Sequence, residues 1–325
     1  MPCCEPNDKL SFAAFERYST LMAATGTGKT VSATYAPVRS WLLMPSWLMI
    51  GIFALLPLGL MLIYSFLTKE FRGGVIWEFS TGAYDQFFFD RGLFGDEAPS
   101  IEWTYINIFL RSLTQAGIAT FFCLIIGFPT AYFIATRPAS TRSVWLYIIT
   151  IPYWVNLLIR TVSMKFLIRD NGPLNQALLG LGVIDTPLHL INTNLAVQLG
   201  LFYSYLPFMV LPIYASVERY NVALSEAGAD LYAGRWTILR EILIPVVKPG
   251  IIAGCILVFV PSLGAFLAPD LLGGAKTFMI GSLIEEQFKG TASNWPFGAA
   301  ASMILLSIIM LVLIFYARSQ AREQI

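Results

Sequence analysis

Charge is scarce in this chain. Only 13% of its 325 residues are Asp, Glu, Lys or Arg, against roughly 25% in soluble domains. The formal net charge is +1 and no basic run occurs, so the electrostatic footprint of a nucleic-acid binder is missing. The only histidine, His189 in "DTPLHLINT", reads as a solvated or capping loop residue rather than a ligand. Four cysteines are present. Cys123 and Cys255 lie in apolar stretches and no pair has metal-ligand spacing, which excludes a zinc site or a disulfide framework. Cys3 and Cys4 lack the lipidation motifs and read as free thiols of a tail. With no clustered nucleophile, base or metal set, a membrane enzyme is a poor reading and a non-catalytic chain is expected. What is abundant is apolar surface: 56% of residues are hydrophobic and mean hydropathy is +0.66. That composition belongs to a membrane protein.

One stretch raises nucleotide binding. "AATGTGKT", Ala23 to Thr30, ends like a phosphate-cradling loop, but the first required glycine is Ala23. The flanks "SFAAFERYSTLM" and "VSATYAPVRSW" are neither a buried strand nor a helix, and backbone N–H groups cannot wrap phosphates without them. A solvated tail, residues 1–40, explains the same letters.

Six stretches have the roughly twenty mostly apolar residues that a span requires. They run from about Trp41 to Thr68, Thr104 to Ala135, Val144 to Ser163, Leu195 to Ser216, Ile251 to Leu267 and Gly298 to Tyr316. The first is too long for a signal-peptide core and reads as an uncleaved anchor. Basic residues collect on one side, in the tail, at Arg137 and Arg142, in the 219–248 loop and at Arg318 and Arg322. Those on the other side are diluted by acids, so both termini are expected in the cytoplasm. Pro129, Pro152, Pro207, Pro212 and Pro261 interrupt the spans. They are either packing kinks or the broken helices of a transport path.

The long inner loop "SVERYNVALSEAGADLYAGRWTILREILIPVVKPG", Ser216 to Gly250, is patterned. Asn221 or Ser225 can cap a helix, and apolar residues recur at helical spacing from Leu224 to Tyr232 and from Trp236 to Leu243. Pro245 and Pro249 are expected to stop the second helix before the fifth span. Two short amphipathic helices can pack on their own spans, lie along the bilayer, or fill a groove on a partner.

This loop resembles the "EAA, three residues, G, nine residues, I-x-L-P" signature of permease subunits in bacterial ATP-binding-cassette importers, with Glu226, Ala227, Ile242 and Pro245 in register. The resemblance implies an all-α polytopic membrane fold of six transmembrane helices, the type I importer permease (MetI-like) fold. The permease domain would span residues 41–317, with a coupling loop over 217–249 and a cytoplasmic tail over 318–325. It implies that Glu226, Ala227, Gly228, Asp230, Leu231, Ile242 and Pro245 dock on a separate ATPase dimer, which carries ATP and magnesium. No cofactor is then expected on this chain. Two positions depart: Gly228 replaces the second alanine, and Tyr232 stands where the signature has glycine. The turn after the first helix must be made without that glycine's positive φ, or be shifted to Gly234.

From about Trp41 to Ala317 the chain resembles the first, B-type, permease of spermidine/putrescine importers, through "IPYWVNLLIRTVSMKFLI", "NGPLNQALLGLGVIDTP", "LPFMVLPIY", "PGIIAGCILVFVPSLGAF", "PDLLGGAK" and "NWPFGAA". That implies an inner-membrane importer of polyamines with a second, homologous permease and an external substrate-binding protein, working by alternating access among membrane lipids. A chain of ammonium groups and methylenes needs acids and aromatic faces along its path. Asp270, Glu285 and Glu286 are the candidate acids, and Trp154, Asn156, Tyr203 and Tyr205 the candidate aromatic and polar contacts. Asp270 could instead cap a turn, Trp154 anchor the interface, and the glutamates form a solvated face. Arg160 opposes a uniformly cation-attracting path unless it pairs with an acid. The same architecture for another solute, or a carrier working without ATP, remains the alternative.

Overall fold

The computed structural model describes residues 44–70, 74–90, 100–101, 103–289 and 293–323. The Ala23–Thr30 stretch, Cys3, Cys4 and the rest of the 1–40 tail lie outside the described residues. One compact unit ends at Gly59 and the other begins at Leu60.

The apolar stretches become helices because a backbone in lipid must satisfy its own hydrogen bonds. α1 (Met44–Tyr64) is apolar on every face. A short hairpin, β1 (Leu67–Lys69) with β2 (Val75–Phe79), and helix α2 (Gly82–Phe88) follow, then the two-residue pair β3 (Phe89–Asp90) and β4 (Ser100–Ile101). α3 (Trp103–Ala135), α7 (Asn194–Glu218) and α9 (Arg235–Leu263) are the long spans, and they pack on one another. Their contact is close because small residues face large ones. A Cβ on Gly127 would lie 2.8 Å from Met209 Cγ, and one on Gly254 would lie 2.9 Å from Met209 Sδ. Helices in lipid lack a hydrophobic drive to associate, so such small-residue contacts supply the packing. Met209, Val210, Ile213, Cys123, Val247 and Val258 fill this core. A second cluster joins α10 (Ile280–Lys289) and α11 (Trp295–Glu323) to α2 and α3 through Phe87, Ala116, Leu283 and Phe297.

Among the described residues, five helices are long and apolar enough to cross a membrane. The expected third span, Val144 to Ser163, is not one helix. α4 (Ala139–Trp154) ends two residues after Pro152, and α5 (Leu157–Ile168) with α6 (Pro173–Gly180) leaves it at 93°. Pro152 lacks the N–H that would continue the ladder, and Asn156 restarts it by accepting a bond from the Leu158 N–H at 2.9 Å. Counted as one broken span, the pair makes the sixth.

The inner loop also departs from expectation. α8 (Val222–Asp230) is a separate short helix capped by Asn221, whose Oδ1 accepts from the Ala223 N–H at 3.0 Å. The second helix is not stopped by Pro245 and Pro249 but runs through both into the fifth span as α9. A π-type stretch, Ile238–Leu243, precedes Pro245. Its wider turn fits the accommodation of a proline whose i−4 bond is lost.

Candidate functional site

Three sites carry the residues singled out in the sequence. The first is the loop. Gly228 is the one buried residue of α8, and an added Cβ would meet Ile242 Cδ1 at 2.8 Å and Ile238 Cγ1 at 3.4 Å. Replacing the signature's alanine by glycine therefore lets α8 lie closer on α9. Ile242 is half-buried against it, while Glu226, Ala227, Asp230, Leu231 and Pro245 are exposed. The turn is not shifted to Gly234, whose φ is −66°. Tyr232 itself takes φ +59°. Its N–H donates to Ala229 O at 3.0 Å and that of Ala233 to Gly228 O at 3.1 Å, the paired bonds of a Schellman helix end. Beneath α8 the ends of α3, α4, α7 and α9 enclose a cavity of about 610 Å³ reached by Arg142, Arg235 and Tyr220. Arg142 pairs there with Glu218 at 3.3 Å, and Glu218 also accepts from Tyr214 Oη at 2.8 Å.

The second lies at the α4–α5 break. Tyr153, Trp154, Asn156, Arg160, Tyr205 and Phe208 line a cavity of about 490 Å³. The structure thus brings Trp154, Asn156 and Tyr205 together, but not Tyr203, which is absent from the cavity wall. Trp154 is 86% exposed, and Asn156 already serves as the cap of α5. Tyr205 Oη donates to Pro261 O at 3.3 Å. Arg160 is buried and, among the described residues, does not pair with an acid. Its guanidinium donates to the carbonyls of Tyr153 and Val155, both at 2.9 Å, and of Ser204 at 3.3 Å. The first two belong to the end of α4, where helix carbonyls lack partners and the dipole is negative. Arg160 is therefore a brace that ties the broken span to α7. Sequence reading missed this because the acceptors are carbonyls, which any residue supplies.

The third is at the far end of α9. A π-type turn, Pro269–Gly273, presents Asp270 beside α10. Asp270, Glu285 and Glu286 line a cavity of about 320 Å³ with Ser282, Phe278 and Lys289. The three candidate acids thus converge although fourteen residues of chain intervene between Asp270 and Glu285. Partial burial pushes the Asp270 carboxyl above its usual range; a bond from Ser282 opposes this, and Glu285 and Glu286 add to it. Lys289 pairs with Glu285 one helical turn away and stands 5.7 Å from the Phe266 ring centre. Sequence reading missed Ser282 and Lys289 because only the π-type turn brings them to Asp270. His189 is exposed as expected, 3.0 Å from Asp170. Among the described residues no cluster could hold a metal ion.

Residues 124–324 match the family described as binding-protein-dependent transport system inner membrane component. The chain is 40% identical over 273 residues to the spermidine/putrescine transport system permease protein PotB of Escherichia coli strain K12, covering 84% of this chain and 94% of that one. To PotB of Haemophilus influenzae it is 37% identical over 282 residues, covering 87% and 91%. Its fold matches the crystal structure of a bacterial ABC transporter involved in import of the acidic polysaccharide alginate, with TM-score 0.64 and 17% identity over 87% of this chain and 96% of that one.

Proposed function

The chain belongs to the family of binding-protein-dependent transport system inner membrane components, and on that premise we propose that it is a polyamine permease of an ATP-binding-cassette importer. It is a multi-pass inner-membrane transport component with the MetI-like permease fold. The observation that carries the substrate class is its 40% identity, over 84% of its length, to a protein named as a spermidine/putrescine permease.

The chemistry supports that reading. Asp270, Glu285 and Glu286 form an anionic mouth at the end of the bundle away from the loop. Tyr153, Tyr205 and Phe208 offer aromatic faces deeper in, with Tyr153 and Phe208 packed edge to face at 4.9 Å. Ammonium groups are attracted to the first and methylenes to the second. Arg160 carries positive charge beside the aromatic cavity, so a cation is drawn to the mouth and not held at the break. A substrate-binding protein would deliver the cation at the mouth, and a second permease would complete the path.

The driving force comes from a partner ATPase dimer holding ATP and magnesium. ATP closes that dimer, draws the α8 loops of the two permeases together and opens the spans outward. α9 suits this coupling because one continuous helix joins the loop to the fifth span. The loop must bind the ATPase with different free energy in the two states, since equal affinity shifts no equilibrium. Basic residues around the loop support a cytoplasmic side for it and for both termini.

The test is ATP hydrolysis by the complete complex in lipid nanodiscs with its binding protein, titrated with spermidine, putrescine, amino acids, sugars and anions. Polyamines alone should stimulate it. Stimulation by another class of solute would discard the polyamine reading and keep the importer.

A further inference from the structure

Tyr232 occupies a position that its own fold gives it no reason to hold. It is the left-handed residue of the Schellman end of α8, at φ +59°, where a Cβ is unfavourable and glycine or asparagine is preferred. Its side chain is 98% exposed, so no packing within the chain offsets that strain. Gly234, two residues on, has an ordinary φ and was not used for the turn. Strain of this kind persists where the residue serves something other than the stability of its own domain.

The surroundings indicate what that is. Leu231 is 82% and Trp236 73% exposed, so three large apolar side chains stand exposed on the short stretch from 231 to 236. Glu226 and Asp230 are exposed on the helix that leads into it. An exposed aromatic stretch with acids behind it is poorly suited to an inner leaflet, whose anionic surface repels carboxylates. It suits a protein cleft with an apolar floor and a basic rim. Arg235, the nearest cation in sequence, is exposed too and also lines the cavity beneath α8; with Arg240 it is outnumbered by the exposed acids Glu226, Asp230 and Glu241.

We propose that Tyr232 is the specificity anchor of the coupling loop: its ring enters an apolar, basic-rimmed cleft on the cognate ATPase subunit and selects that subunit over ATPases shaped for a glycine turn. This rests on the importer reading above. A large rigid aromatic ring desolvated in a pocket is the usual kind of residue to dominate an interface. The strain is tolerated in the free chain because the ring finds its contacts only in the complex.

The experiment uses the full complex with Tyr232→Phe, Tyr232→Asn and Tyr232→Gly, measuring thermal stability of the permease, retention of the ATPase on purification, and substrate-stimulated hydrolysis. Asparagine and glycine both accept the left-handed backbone, so the permease should melt no lower than wild type. Retention of the ATPase should nevertheless fall at least tenfold in both, and Tyr232→Phe should retain it. Wild-type retention and coupling in Tyr232→Asn would overturn the proposal. So would normal retention with lost affinity for anionic vesicles, which would assign the ring to the leaflet. Glu226→Arg with Ala227→Glu separates the two readings. If that pair releases the ATPase while Tyr232→Asn keeps it, only the anchor fails; if both keep it, the coupling assignment itself fails.

Discussion

Gly250→Ala should separate the helices that join the loop to the spans. Gly250 sits where α9 crosses α7, and a Cβ there would lie 2.7 Å from Pro212 O and 2.6 Å from Ser216 Cβ, with Ser216 Oγ closer still. The carbonyl is the decisive neighbour because it is backbone and cannot swing aside. It stands roughly 0.7 Å inside the 3.4 Å at which ordinary contact begins, so α7 and α9 must move apart. Overpacking of this kind costs about 1–3 kcal/mol, set against the roughly 0.5–1 kcal/mol that alanine gains over glycine in a helix. The net effect should be a clear loss of stability, read as a lower melting temperature of the detergent-solubilised permease. Ser216→Ala removes the hydroxyl but leaves its Cβ and the Pro212 carbonyl in place, so the double variant should recover little. Gly180→Ala, where a new Cβ meets nothing within 4 Å, is the control and should be neutral or stabilising. A Gly250→Ala protein melting at the wild-type temperature would refute this account of how the long spans approach.

Two further outcomes are expected. The raised Asp270 carboxyl must lose its proton to bind an ammonium group, so polyamine uptake should fall as pH drops through that raised value; Asp270→Asn should lower uptake and move the acid limb down in pH, as measured in proteoliposomes against wild type. Arg160→Met should strand the carbonyls of Tyr153 and Val155, each loss costing about 1–3 kcal/mol, and lower the melting temperature more than Arg160→Lys, which can still donate to one or two of them.

Much of the fold was legible because the bilayer makes few demands and states them in composition. Apolar stretches of sufficient length had to be helices, so the spans could be placed from hydropathy. Where the spans broke was less legible. Pro152 and Pro245 carry the same chemical defect, yet one ends its helix at a 93° bend and the other lies inside α9. Arg160 and a new N-cap hold the first break open, whereas a π-type stretch precedes the second. Those partners are distant or conformational, and proline alone does not announce them. At the mouth the sequence marked three acids, but their convergence depends on the turn at Pro269.

By itself, then, the sequence determined the class of molecule, the number of apolar stretches and the register of the loop signature, because each is a local property of composition or spacing. It also marked Gly228 and Tyr232 as departures. Only the tertiary structure decided what they mean. Gly228 is small because Ile242 lies against it, and Tyr232 turns left-handed because the α8 end is closed by bonds to Ala229 and Gly228. A residue's φ and its neighbours across a helix contact are set by the whole chain, and no short window of sequence contains them.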